Sequence, residues 1–274
     1  MTFSAFETSI QDGKVVELYQ FQIGLSYLHF TSADADFEYD NRVYEAVALQ
    51  RTAIEQTAEI SKSNIRITAP RDFAIADAFR VSPPSEVILL TIRRIHRGDS
   101  EASIAWRGRV LNAEWSGSLV TMTCESVFTS LKRTGLRRLY QKNCGHVVYE
   151  GSPGEGCGIS DASFRVDATL SSAGGTTLIS GTFGTFANGY FSGGFVEWEP
   201  TPGTVERRSI RDHIGTTITI THGIVGIPAN AAVRAYPGCD HSFSTCKNKF
   251  GNGDNFGGQT HIPEVNPFGG SSIY

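Results

Sequence analysis

Four of the five cysteines in this 274-residue chain form two pairs, Cys144 with Cys157 and Cys239 with Cys246, on either side of a long β-patterned stretch. One site built from all four would tie the end of the chain back to its centre, a constraint that no other sequence feature matches. The later pair lies in Cys239-Asp-His-Ser-Phe-Ser-Thr-Cys246, which reads as a turn. Behind it, Lys247-Asn-Lys-Phe-Gly-Asn-Gly-Asp-Asn-Phe-Gly-Gly258 is too rich in Gly and Asn for a regular helix or strand. Cys124 differs from the others. It alternates with Val120 and Met122, so its thiol is expected to pack as a small hydrophobe on a buried strand face.

Four converging thiolates suit zinc or an iron–sulfur cluster. Structural zinc sites usually carry a tight knuckle of two cysteines separated by two to four residues, whereas the gaps here are twelve and six. That spacing favours the larger cluster without excluding zinc. Basic residues approach the first pair (Lys132, Arg133, Arg137, Arg138, Lys142) and follow the second (Lys247, Lys249). They could offset the charge of a tetrathiolate, or simply form a solvated helix face. Unrelated buried thiols are the plain alternative. Two disulfides would need an oxidising compartment, and the N-terminus shows no basic and apolar leader pattern. Cys144-Gly-His146 and Cys239-Asp-His241 also allow a catalytic thiol, although nucleophile and base normally come from distant parts of a chain.

The rest of the sequence reads as mainly β. Twenty-nine glycines, 11% aromatics and many Thr and Val point to short strands with numerous turns. A net charge of −4 with 19% charged residues argues against a dedicated nucleic-acid binder, and no apolar run approaches a membrane span. Strands are predicted at Lys14–Ile23, Leu25–Phe30 and Ile60–Thr68, with a hairpin over Phe37–Tyr44 turning at Asp40-Asn41. Arg71–Arg80 reads as a short helix. Glu86–Ile95, apolar on both faces, belongs in mid-sheet. Ile104, Trp106, Gly108 and Val110 are expected to share one face of the next strand. A helix over Glu125–Leu139 would bury Val127, Phe128, Leu131 and Leu136 as one stripe. Five further strands between Phe164 and Thr221 suggest a small barrel or sandwich. From Gln259 to Tyr274 the chain reads as an extended tail. The expected division is 1-124, a β-rich domain; 125-160, helix and first pair; 161-236, an inserted β domain; and 237-274, second pair and tail. That makes two β-barrel or sandwich-like domains joined by a short helix and a four-cysteine subdomain.

No Walker loop, His-Glu-x-x-His, Gly-x-Ser-x-Gly or dinucleotide fingerprint is present. The passage Tyr236-Pro-Gly238, Cys239, Cys246, Asn248-x-Phe250 and Asn255-Phe-Gly-Gly258 resembles the C-terminal signature of tail-tip hub proteins of long-tailed bacteriophages and related gene-transfer particles. Arg138-Leu-Tyr-Gln-Lys-Asn-Cys144 and Cys157-Gly158 resemble the passage that opens their cluster domain.

The resemblance implies a non-enzymatic virion protein at the tail tip, made in the host bacterial cytoplasm. It implies Cys144, Cys157, Cys239 and Cys246 as ligands of an iron–sulfur cluster, of the 4Fe-4S kind in lambda-like members. It further implies a ring-forming homotrimer that meets the distal tail protein, the central fibre or a second hub protein, and the tape measure protein, with DNA only as cargo in the lumen. Two other classes remain open: a cysteine-dependent cell-wall hydrolase of a tail module, and a zinc-stapled β adaptor. Both use the same cysteines differently.

Overall fold

The computed structural model describes residues 7–9, 14–55, 63–80, 83–132, 135, 139–153, 155–201, 204–224 and 227–262. It is mainly β and divides into two compact units. One comprises Met1–Arg133 with Glu199–Glu206, the other Thr134–Trp198 with Arg207–Tyr274.

The first unit holds nine strands: β1 (Val15–Ile23), β2 (Ser26–Thr31), β3 (Phe37–Tyr39), β4 (Arg42–Ala46), β5 (Gln50–Arg51), β6 (Ile65–Pro70), β7 (Leu89–His96), β8 (Ser103–Ser116) and β9 (Leu119–Ser126). Their order is β3-β4-β2-β1-β7-β8-β9-β6-β5, which puts the apolar β7 at the centre. Asp40 and Asn41 turn the β3–β4 hairpin with φ of 53° and 56°, the left-handed conformation these residues tolerate. Alternate side chains of β1, β6, β7 and β9, among them Phe21, Ile67, Leu90, Ile92 and Met122, fill one core. Cys124 is fully buried in it, and burial pushes its thiol up to about 12.

Three local expectations change. Ile104 is 59% exposed while Trp106, Gly108 and Val110 are buried. The β7–β8 register shifts between Ile92 and Arg93, pairing Ile92 with Trp106 but Arg93 with Ile104; the extra residue turns Ile104 to the other face. The predicted helix over Arg71–Arg80 shrinks to α1 (Ala74–Asp77), which has no side-chain cap and is anchored by Phe73 packed edge-on against Phe21. The predicted helix over Glu125–Leu139 is a 3-10 segment, Val127–Lys132, whose Val127, Phe128 and Leu131 are exposed rather than a buried stripe. Arg133, Leu136, Arg137 and Arg138 lie outside the described residues, as does most of the expected tail after Gln259.

The second sheet runs β10 (Val166–Thr169), β11 (Ser172–Ile179), β12 (Phe195–Thr201), β13 (Thr204–Ile214), β14 (Thr217–Ile224) and β15 (Ala232–Tyr236), in the order β10-β15-β12-β13-β14-β11. The ends of β10 and β11 approach each other, where the Ser171 amide donates to the Ile179 carbonyl at 2.8 Å, so the sheet curls around Leu170, Leu178, Phe191, Val196, Ile218 and Val233. A short helix, α2 (Asp161–Phe164), leads into β10. β15, which the sequence reading did not anticipate, pairs with both β10 and β12. It matters because it delivers Tyr236, and with it Cys239, to a fixed place.

Candidate functional site

All four paired cysteines belong to the second unit, Cys144, Cys157 and Cys239 in loops and Cys246 on a short helix. None forms a disulfide; Cys157 and Cys246 are buried and Cys144 and Cys239 partly so.

The first loop is held by its glycines. Gly158, after Cys157, has φ of +67°, and a Cβ there would stand 2.7 Å from the Pro153 backbone. A Cβ on Gly156 would stand 2.5 Å from the Glu150 carbonyl oxygen. The Gly156 amide donates to Ser152 O at 3.1 Å and the Gly158 amide to Glu150 O at 3.2 Å, folding residues 150–158 into a compact turn that presents Cys157. Tyr149, itself at φ 65°, donates its hydroxyl to the Pro237 carbonyl at 2.7 Å. Its ring meets Phe195, Tyr236 and Phe250 edge-on, so one aromatic side chain joins the first loop to the approach to Cys239.

The passage Cys239–Cys246, which reads as a turn in the sequence, runs into a short helix that contains Cys246. α3 (Phe243–Asn248) starts at Ser242, whose hydroxyl accepts from the Thr245 amide at 3.2 Å, and carries Cys246 on its buried side. Tyr236-Pro-Gly238 reaches Cys239 through a very close approach: a Cβ on Gly238 would stand 2.1 Å from Ser192 O, and one on Gly194 1.9 Å from Tyr236 O.

Asn252 joins the pairs. Its side-chain amide donates to Cys157 O at 2.6 Å and approaches Cys157 Sγ at 3.9 Å, while the Cys246 thiol donates to Asn252 O at 3.2 Å. Cys144 is bound in from both sides. Its amide donates to His241 O at 2.9 Å, and its sulfur accepts from the Gly257 amide at 3.3 Å. The Cys239 sulfur accepts from the His241 amide at 3.4 Å. Three of the four sulfurs thus accept N–H groups, the arrangement that favours an anionic ligand.

The thiols also sense one another. Burial, then the neighbouring Cys239, Cys144 and Cys157, push Cys246 up to about 11. Burial raises Cys239 as well, opposed by the His241 amide and reinforced by Asp240, Cys157 and Cys144. Removing two or more protons from this group therefore calls for a positive partner. No three His, Cys, Asp or Glu side chains among the described residues are grouped as around one ion. The four-thiolate donor set itself suits a soft metal group.

Among the described residues, Lys249 is the expected counter-charge that is built in. Its ammonium donates to Tyr190 O at 2.6 Å and Gly238 O at 2.8 Å and lies over the Tyr190 and Phe250 rings. Burial lowers its pKa, and Cys239 and Asp240 counteract that. Lys247 and Lys142 are exposed. Asn252 and Tyr149 escaped the sequence reading: Asn252 resembled loop filler, and only its position between Cys246 and the Asn255-Phe-Gly-Gly258 passage hinted at a role.

Comparison with known proteins covers both parts of the chain. Residues 19–160 match the family described as "Baseplate hub protein, N-terminal attachment domain", and residues 189–266 match "Phage conserved hypothetical protein BR0599". An uncharacterized protein of Xylella fastidiosa (strain 9a5c) is 29% identical over 180 residues, 61% of this chain. The aligned region is 37% of that relative's length. A chain of a structure titled "Virion of native gene transfer agent (GTA) particle" shares the fold, with a TM-score of 0.79 at 17% identity over 99% of this chain and 96% of that one.

Proposed function

Because this chain belongs to the family of the baseplate hub protein N-terminal attachment domain, and is therefore a structural component of a phage-like tail, we propose that it is a tail-tip hub subunit whose four paired cysteines hold an iron–sulfur cluster. The observation that carries the cluster reading is the link that Asn252 makes between Cys157 and Cys246, together with N–H donors on the sulfurs of Cys144, Cys157 and Cys239. When bound, such a cluster, of the 4Fe-4S kind, would act as a staple: metal-binding energy becomes folding energy for the loops around β15. This chain's own residues supply the four ligands, the N–H groups that stabilise sulfur charge, and Lys249 as an internal cation.

The assembly is proposed as a ring-forming trimer between the distal tail protein and the central fibre or a second hub protein, in contact with the tape measure protein and with DNA passing through the lumen. Leu25, Tyr27, Leu28 and Val43 are each exposed on or beside β2 and β4, apolar side chains of the kind that subunit contacts cover.

The test is iron and acid-labile sulfide analysis of protein purified without oxygen, with its visible spectrum. About four iron and four sulfide per chain are expected. Substituting Ser at any of the four paired cysteines should abolish them, while Cys124→Ala should not. One zinc without sulfide would replace the cluster by a zinc staple, and no metal would overturn the reading. A native mass other than three subunits would overturn the trimer.

A further inference from the structure

The segment after α3 returns across the Cys144 loop and lies flush against it. The Gln259 amide donates to Gln141 O at 2.9 Å. A Cβ on Gly258 would stand 2.4 Å from Lys142 O and 2.7 Å from Asn143 C. A Cβ on Gly257 would stand 2.6–2.7 Å from three ring atoms of His146, so the imidazole lies directly on the Gly257 backbone. The amide of that same Gly257 is the one that reaches the Cys144 sulfur, at 3.3 Å. Outside this contact is a cavity of about 440 Å³ lined by Tyr140, His146, Asp254, Phe256, Gly257 and Gln259. The half-buried Cys144 is therefore covered on this side by the Gly257 backbone, on which the His146 imidazole rests.

His146 has no role in the hydrogen bonding of the four-cysteine site. Its buried Nδ1 has no hydrogen-bond partner among the described residues. Burying an imidazole nitrogen unpaired is unfavourable, so what the ring contributes here is its flat face. Contact of a planar ring with a glycine backbone also explains why Phe256-Gly-Gly258 carries no side chain at its centre: any Cβ at Gly257 would lift the strap and withdraw its amide from the sulfur.

We infer that His146 is a positioning residue, holding the Gly257 amide on the Cys144 sulfur at the edge of this cavity. The inference rests on the four cysteines acting as a common site. Its consequence for the cluster reading is that exchange of whatever the sulfurs hold begins at Cys144, when the strap lifts.

The test uses the full chain as purified, and maps alkylation rates of all five cysteines by mass spectrometry, with buried Cys124 as internal reference. His146→Ala should accelerate Cys144 selectively, on the order of tenfold, the change expected when one hydrogen-bonded closure is lost. His146→Phe keeps a flat face without the nitrogens and should restore protection. Gly257→Ala should accelerate Cys144 in the native background and by less once His146 is Ala, because the methyl group then has room. Unchanged Cys144 reactivity in His146→Ala would overturn the inference. So would equal acceleration of all four paired cysteines, which would mean that the ring supports the whole site. Because the readout is the rate at Cys144 relative to the other three paired cysteines, it stands or falls separately from iron and sulfide content.

Discussion

The side-chain amide of Asn252 donates to the carbonyl of Cys157, 95 residues earlier in the chain, at 2.6 Å. Its other contacts are to Cys246 through the backbone and to Asn255 through its Oδ1, at 2.8 Å. One side chain thus fixes the distance between the two cysteine pairs. Asn252→Ala should leave the Cys157 carbonyl unpaired and cost about 1–3 kcal/mol. Asn252→Asp should be at least as damaging, since it sets a carboxylate oxygen against that carbonyl. Hydrogen exchange of residues 239–258 reads the loss, and unaltered protection there would mean that Asn252 is incidental.

Gly158→Ala is expected to fail locally and not globally. The substitution meets both a left-handed backbone, at φ +67°, and a Cβ position 2.7 Å from Pro153. Strain of this kind costs about 1–3 kcal/mol before the steric clash is added. The displaced residue next to it is Cys157. Thermal unfolding of the first unit, which shares none of these contacts, should be unchanged, while the four-cysteine loops become susceptible to protease.

The features legible in the sequence were those written in local periods. Asp40-Asn41 marked a hairpin because its conformation is a property of two adjacent residues, and Cys124 showed its face by alternating with Val120 and Met122. The pairing of the cysteine passages was visible as a motif, because Pro-Gly and Cys-Gly encode close backbone approaches that only glycine allows. What was hidden depended on distant partners. β15 is five residues of ordinary composition, made a strand by β10 and β12 on either side. Ile104 fits the alternation of its strand and is turned out by a bulge set through pairing with β7. α3 starts on the Ser242 cap, inside a passage that reads as a turn because the helix it opens is only six residues long. Asn252 looked like any loop asparagine until Cys157 was placed beside it.

The first unit carries a pH dependence of its own. Burial works to raise the Glu17 carboxyl, but Arg51, Tyr19 and Arg94 more than offset it and leave the group below its ordinary 4.5. Arg51 Nε donates to Glu17 Oε2 at 2.8 Å, as does the Tyr19 hydroxyl. A carboxylate held below its unfolded value contributes stability that is present above the unfolded pKa and is lost as pH falls through the folded one. Stability should therefore decline as pH drops below about 4.5, and Glu17→Gln should be less stable at neutral pH with a shallower decline. Parallel pH–stability curves for the two proteins would show that Glu17 contributes nothing to it.

Lys249 and Lys247 stand two residues apart and should behave differently. Lys247 is exposed in the last turn of α3, and Lys247→Met should change stability by no more than about 0.5 kcal/mol. Lys249 is half-buried, and its ammonium satisfies Tyr190 O and Gly238 O at once. Lys249→Met retains most of the stem but leaves both carbonyls without that donor, a loss of about 1–3 kcal/mol. Gly238 directly precedes Cys239, so the backbone that loses its partner is the one that sets that cysteine. The charge has a second effect, because the cation near Cys239 favours a deprotonated thiol and offsets the negative charge of a four-thiolate site. Lys249→Arg keeps the charge with a different shape, which separates the two contributions. If Lys249 acts through charge, the Arg variant should retain metal better than Met at equal stability. If it acts only by capping the two carbonyls, metal retention should follow the melting temperature in both variants.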